Sequence, residues 1–213
     1  MKRQDSIVYL IDDDQSAREG LADLLSSVGH NVQSFDSAQE FLATTPPDAP
    51  CCIILDIRLP GPSGLEVQRI LTNSGIHLPI IFVTAHGDIS MSVRAIKAGA
   101  IEFLTKPVHE QQLLDAVQAG LERDRGRREE VEKLAELRQR FASLTPRERE
   151  IFALIVSGRR NKYIAAEVGL SEMTVKVHRS HVMHKMRAKS LIDLVRISDR
   201  LGSPPAGPSK PKD

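Results

Sequence analysis

The sequence predicts an α/β fold in its first half, a doubly wound five-stranded parallel sheet, and a smaller all-α unit of four helices in its second. Three observations carry this reading. Up to about residue 120, short β-branched apolar runs alternate with longer runs of helical period, and strands separated by crossover helices require a parallel sheet covered on both faces. From Glu110 onward the periodic runs read as helix. Charge divides at the same place: residues 1–119 hold 8 Lys+Arg against 15 Asp+Glu, a formal −7, whereas residues 141–213 hold 14 against 7, a formal +7. The stretch between, 120–140, is nearly balanced at 7 against 6, so the net charge of +1 conceals two halves suited to different partners.

The elements follow in order. "SIVYLI" opens with a strand, and "SAREGLADLLSSVG" is a helix with apolar positions at Leu21, Leu24, Leu25 and Val28, stopped by Gly29. "NVQSF" is a second strand and "CCIILD" a third; "GLEVQRILTNSG" is a helix that ends at glycine. "PIIFVT", the helix "ISMSVRAIKAG" and "AIEFL" complete the set. The first, third and fourth strand runs are the most uniformly apolar, which places them centrally and favours the flavodoxin-like strand order 2-1-3-4-5. From Glu110 to about Arg140 the chain is helical and highly charged, with Leu134, Leu137, Phe141 and Leu144 at three- and four-residue steps. This is either a solvated connecting helix or a short dimer-forming coiled coil. The expected boundaries are 5–120 for the first domain, 121–142 for a helical linker, 143–201 for the second domain and 202–213 for a disordered tail rich in Pro, Gly and Ser.

Composition excludes several classes of function. Trp is absent and aromatics make up 4% of the chain, which argues against stacking platforms for bases or sugars. The two cysteines, Cys51 and Cys52, are adjacent, giving neither a metal spacing nor a disulfide framework and suiting a reducing compartment. No signal peptide is legible, and no apolar run approaches the ~20 residues that cross a bilayer. The chain reads as a soluble cytoplasmic protein with no membrane partner.

In an open α/β sheet the functional crevice lies outside the carboxyl ends of the central strands. The first strand delivers Asp12, Asp13 and Asp14 there, the third Asp56, the fourth Thr84, and the fifth is followed by Lys106. Clustered carboxylates repel, and a hard divalent cation with oxygen ligands, Mg²⁺ or Mn²⁺, relieves the repulsion. Lys106 adds a point charge and Thr84 a hydroxyl donor. A carboxylate nucleophile, a cation site, a lysine and a hydroxyl together describe a pocket for a phosphoryl group, with Asp56 forming an acyl phosphate.

Residues 5–120 resemble the receiver domain of two-component response regulators through Asp12-Asp13, Asp56, Thr84 and Lys106, in that order and spacing. The resemblance implies that Asp13, Asp56 and the main-chain carbonyl of Arg58 bind the metal, with Asp12 acting through water and Asp14 outside the matched pair. It also implies a cis Lys106-Pro107 bond, and it places Phe103 where receivers carry a switching aromatic residue. A sensor histidine kinase is the implied phosphodonor. The implied response is homodimerisation through the Asp88–Leu104 face.

In the basic half, Thr145, Pro146 and Glu148 make a capping box with proline at the first helical position. A short helix through Ala165-Ala166 ends near Gly169, and Ser171 caps the next. Two helices joined by such a turn form a helix-turn-helix, and the small Ala165-Ala166 pair allows the second helix to pack close. A fourth helix, "SLIDLVRISDRL", carries an apolar stripe at Leu191, Leu194, Val195 and Ile197 or Ser198. The second helix of the motif lies in the major groove, where Thr174, Lys176, Val177, Arg179 and Ser180 crowd its N-terminal half. Lys donates to guanine and Val touches a thymine methyl; Arg159, Arg160, Asn161 and Lys162 suit phosphates. Residues 143–201 resemble a LuxR-type DNA-binding domain through "LTPRERE", "NKYIAAEVGLSEMTVKVH" and "KSLIDLV", and the whole chain resembles the FixJ/NarL group of response regulators. That implies base contacts from Lys176 and Val177, phosphate contacts from Thr174 and Lys162, double-stranded promoter DNA as ligand, and RNA polymerase as a further partner. Ser180 departs from relatives that carry Lys there, with Arg179 as a partial substitute. His178, His181 and His184 drift around their helix and read as structural or phosphate-facing rather than as a zinc set.

The implied activity is phosphorylation-dependent transcriptional regulation, with at most slow self-phosphorylation and self-dephosphorylation. Two rival readings use the same parts. A small-molecule phosphatase or phosphotransferase would need a substrate-covering cap, for which the sequence shows no insertion. A constitutive, sigma-factor-like regulator would have no use for the intact acidic site.

Overall fold

The computed structural model describes residues 6–85 and 87–202. Five parallel strands form one sheet in the order β2-β1-β3-β4-β5: β1 Ile7–Ile11, β2 Asn31–Phe35, β3 Cys51–Leu55, β4 Ile80–Thr84 and β5 Glu102–Thr105. In register, Ile7 faces Cys51 across β1 and β3, Ile53 faces Ile80 across β3 and β4, and Ile81 faces Glu102 across β4 and β5. The intervening helices are α1 Gln15–Ser27, α2 Ala38–Leu42, α3 Gly64–Asn73, α4 Ile89–Lys97 and α5 Glu110–Ala142.

The continuous apolar runs of β1, β3 and β4 are explained by burial on two faces. Tyr9, Ile11, Ile53, Leu55 and Phe82 pack with Phe41 of α2, Val67 and Leu71 of α3 and Ala95 of α4. The alternate positions Val8, Leu10, Cys52, Ile54, Ile81 and Val83 pack with Leu25 of α1 and with Leu113, Ala116 and Val117 of α5. Each aliphatic side chain so buried stabilises the fold by roughly 1.5–3 kcal/mol before the entropy of ordering it is subtracted. The expected strand order is observed, and α1, α3 and α4 each stop just before a glycine, as the sequence requires.

The chain divides into two compact units, Met1–Arg128 and Glu129–Asp213, with the division inside α5. Residues 121–128, expected at the start of the linker, are fastened to the first unit. Asp124, with a fully buried side chain, accepts from the Cys51 backbone N–H at 3.0 Å and pairs with Arg127 and Arg128. Arg128 in turn reaches Asp48 at 2.8 Å.

The second unit adds α6 Pro146–Val156, α7 Asn161–Val168, α8 Glu172–Met186 and α9 Leu191–Leu201. Both halves of the Thr145–Glu148 capping box form, with proline at the start of α6. Gly169 turns left-handed after α7, and the Ser171 hydroxyl accepts from the Thr174 N–H to cap α8. Ile151, Ile155, Ile164, Val175, Val182, Met186 and Leu194 make the core. Phe141 and Leu144 at the end of α5 join it, Leu137 is buried and Leu134 is half-buried.

Two details depart from expectation. Ala165 is buried beside Ile164 but Ala166 is exposed, because the next residue turns roughly 100° further round α7 and leaves the buried face. On α9 the buried positions are Leu194 and Ser198, with Ile197 and Leu201 beside them, while Leu191, in the first turn, faces solvent. The expected tail lies outside the described residues from 203 onward. Among the described residues no helix is long and apolar enough to cross a membrane.

Candidate functional site

The carboxyl edge of the sheet gathers the charged residues that the strand ends predict. Asp12 follows β1 and Asp56 follows β3; both are buried, and Asp13 beside them is exposed. One carboxylate oxygen from each lies within 4.8 Å of the others, the one such group of three or more metal-ligating residue types among the described residues. Lys106 bridges two of them, its Nζ donating to Asp12 Oδ2 at 2.6 Å and Asp56 Oδ2 at 2.9 Å. Three carboxylates and one ammonium sum to a formal −2, which one divalent cation balances. The donor set therefore fits a hard cation with oxygen ligands.

Backbone groups complete the setting. Asp56 Oδ1 accepts from the Arg58 N–H at 3.0 Å, and Asp12 Oδ1 from the Asp14 N–H at 3.1 Å. Burial pushes the Asp12 carboxyl above its ordinary range, Lys106 pulls it back only in part, and the Asp56 charge adds to the rise. Burial works against the Lys106 ammonium, but its bonds to Asp12 and Asp56 outweigh it and hold its pKa above the ordinary lysine value. Asp14 stands apart from this cluster, since its side chain accepts from the N–H groups of Ser16 and Ala17 and caps α1. The Lys106-Pro107 bond is cis.

The loop after β3 passes close to α3. A Cβ added at Gly64 would stand 2.4 Å from the carbonyl oxygen of Asp56, so only glycine permits this approach. Thr84, fully buried, ends β4. A Cβ at Gly87 would meet Phe103 Cε1 at 2.6 Å and Thr84 Cγ2 at 3.3 Å, so the Phe103 ring is packed against the turn that leads to α4. Asp88 caps α4, whose outer face exposes Ile89, Val93 and Ile96; Ile89 is 83% exposed.

On the second unit the predicted contact residues separate into two kinds. Lys176, Val177 and Ser180 are exposed on α8, and Arg159, Arg160 and Lys162 are exposed at the start of α7. Thr174 is held at the cap by Ser171, and Arg179 donates to Asn161 Oδ1 at 3.3 Å, tying α8 to the start of α7. Thr174 and Arg179 each thus make one bond within the protein. The three histidines do not converge: the His178 and His181 rings meet edge to face at 6.5 Å, and His181 Nδ1 lies 3.8 Å from Glu148. Beneath α8, the buried Glu148 binds Lys185 at 2.6 Å and the Thr145 N–H at 2.8 Å. Burial alone would raise its carboxyl; Lys185 and Thr145 overcome that and hold it below the ordinary range.

Sequence reasoning missed several residues. Arg18 Nη1 donates to the Asp12 carbonyl at 2.5 Å, one turn into α1, a position that periodicity alone reads as solvated. Met173 and Tyr163, 70% and 61% exposed, add apolar surface to α8 and α7. For Met173, a large apolar residue in the first turn of the Ser171-capped helix was a usable signal.

The comparisons with known proteins agree with this geometry. Residues 8–118 match the response regulator receiver domain family, and residues 142–198 match the luxR family of bacterial regulatory proteins. The chain is 53% identical to Nodulation protein W of Bradyrhizobium diazoefficiens over 197 residues, covering 92% of this chain and 87% of that one. It is 42% identical to the transcriptional regulatory protein FixJ of Azorhizobium caulinodans, covering 96% and 97%. The solved structure of the response regulator StyR superposes with a TM-score of 0.83 at 48% identity, covering 92% of this chain and 99% of that one. A parallel sheet with an acidic edge, followed by a basic helix-turn-helix, thus has a shared ancestry, and this chain belongs to the response regulators that join a receiver domain to a LuxR-type DNA-binding domain.

Proposed function

We propose that Asp56 accepts a phosphoryl group from a sensor histidine kinase and that the phosphorylated protein pairs through α4 and β5 and binds promoter DNA. In this reading residues 5–120 are the receiver, 121–142 the helical connection, fastened to the receiver as far as Arg128, and 143–201 the DNA-binding domain. The single observation that carries it is the Lys106 ammonium shared between Asp12 and Asp56, with Asp13 completing the carboxylate trio. An Asp56 carboxylate oxygen attacks phosphorus, the P–N bond of the donor phosphohistidine breaks, and its electron pair leaves with the imidazole nitrogen. The product is an acyl phosphate on Asp56. Asp12, Asp13, Asp56 and the Arg58 carbonyl hold Mg²⁺ or Mn²⁺ in this reading; when bound, the cation neutralises negative charge on the phosphoryl oxygens. Lys106 supplies a second positive charge and Thr84 a hydroxyl beside the same position. Slow hydrolysis of the acyl phosphate returns the resting state.

The response is a population shift. Drawing Thr84 toward the phosphoryl group opens space beside Gly87 and Phe103, and α4 follows, being capped by Asp88 one residue later in the chain. The exposed Ile89, Val93 and Ile96 give α4 an apolar face for a second receiver. A dimer then presents two α8 helices to half-sites about 34–36 Å apart. Lys176, Val177 and Ser180 face bases, and Arg159, Arg160 and Lys162 face phosphates. Thr174, Asn161 and Arg179 position them.

Affinity for a palindromic promoter fragment, measured with and without acetyl phosphate and Mg²⁺, tests the reading. Wild type gains roughly tenfold or more, within the usual range of coupling energies, and Asp56→Asn gains nothing. Equal wild-type affinity with and without the donor contradicts it.

A further inference from the structure

We infer that the groove between α3 and α4 is a binding site for a small organic carboxylate with an apolar body. The groove has a volume of about 950 Å³, at the upper end of the ~300–1,000 Å³ usual for small-molecule sites. Ile57, Leu65 and Met91 line it with apolar surface, and Arg58, Arg69 and Arg94 stand around it. These are three of the 8 Lys+Arg in residues 1–119, a stretch with a formal charge of −7. Positive charge is thus concentrated at one groove of an otherwise acidic unit.

Among the described residues, little neutralises it. Glu66 is the one acid in the lining, and its carboxylate is committed to the Ser63 N–H and hydroxyl, each at 2.9 Å, leaving Arg69 at 4.0 Å. Arg94 is close enough to influence Asp88, a carboxylate already held by the Met91 N–H and the Ser90 hydroxyl. The remaining guanidinium donors suit the two oxygens of a carboxylate, which arginine binds in a bidentate fork.

The groove is also preformed. Gln68, buried in α3, donates to the Ala95 and Ala98 carbonyls at 3.4 and 3.2 Å and so stitches α3 to the end of α4. A fixed floor lowers the ordering cost of binding. Cations are disfavoured by the arginines, and wholly apolar molecules leave the arginines unused.

The test uses the full chain with ¹³C-methyl-labelled methionine, without phosphodonor or Mg²⁺, so that it is independent of Asp56 chemistry. Of the five methionines, Met91 lines the groove. Sodium octanoate is titrated as probe, with octanamide as its neutral counterpart. The Met91 signal, assigned through Met91→Leu, shifts saturably with octanoate and at least roughly tenfold more weakly with octanamide. The double variant Arg69→Gln/Arg94→Gln loses affinity for octanoate by a similar factor, while its other methionine signals keep their wild-type positions and so report an intact fold. An unmoved Met91 signal, equal response to the amide, or unchanged affinity in the double variant overturns the inference.

Discussion

The acidic pocket of the first unit and the recognition face of the second are built on opposite plans. In the pocket Asp12 and Asp56 are buried and bound: Lys106 holds both, and backbone N–H groups hold their remaining oxygens, with Asp13 exposed beside them. On α8 Lys176, Val177 and Ser180 are exposed, and the bonds lie one layer beneath, in the Glu148–Lys185–Thr145 cluster. On the proposed function, the difference follows from the ligands. A phosphoryl group is small and must be enclosed, so its site carries repulsion and desolvation in advance. DNA is large and comes to the surface, so its readers need a rigid frame and free tips.

If the recognition face is a set of free tips, truncating one costs binding without costing stability. Lys176→Ala is expected to weaken promoter binding by about 1–3 kcal/mol, the range for a base contact, with unfolding free energy unchanged within ~0.5 kcal/mol. Fluorescence anisotropy alongside urea denaturation measures both; a large stability loss would place Lys176 in the frame instead.

The frame gives the reverse pattern. Lys185→Met leaves the buried Glu148 carboxylate without its main partner and is expected to cost the second unit about 1–3 kcal/mol at pH 7. The acid limb sharpens this. Because Glu148 is held below its ordinary 4.5 in the fold, its contribution is full above about pH 4.5 and disappears as pH falls through the folded value. Wild type and Lys185→Met should therefore converge in stability at low pH. A constant difference down to pH 3 would show that packing, not charge, is what Lys185 supplies.

The smallest expected effect is in the pocket and has the opposite sign. Burial and the Asp56 charge hold the Asp12 carboxyl above its ordinary range, so its ionised form costs stability at neutral pH. Asp12→Asn is expected to stabilise the metal-free protein by roughly 0.5–1.5 kcal/mol, the common reward for relaxing a functional site. Loss of stability in thermal unfolding would mean that the Lys106–Asp12 bond outweighs the repulsion.

The two plans also differ in how far the sequence reveals them. The pocket was legible because strand ends are fixed positions: a buried run such as "CCIIL" places its next residue, Asp56, at the crevice. Strand order was legible for the same reason, from which runs were apolar on both faces. The frame was less so. Glu148 was readable as half of a capping box, but its second bond, to Lys185, joins residues 37 apart in sequence. Asp124 lies in "RDRGRREE", a charged run that reads as solvated, yet it is buried against Cys51, 73 residues away. Local pattern cannot say which of several acids a tertiary contact will choose. The Ala166 and Leu191 errors have smaller causes: Ile164 and Ala165 already take the buried arc of α7, and the next residue turns roughly 100° further round, while Leu191 is the first residue of α9.

Everything proposed for the switch depends on Asp56 as phosphoacceptor, and mass measurement of the intact protein after incubation with acetyl phosphate and Mg²⁺ tests that most directly. Wild type should gain the mass of one phosphoryl group, lose it on chelation of the metal before mixing, and gain none as Asp56→Asn. Labelling that survives in Asp56→Asn, or wild type that stays unlabelled with metal present, would contradict the account.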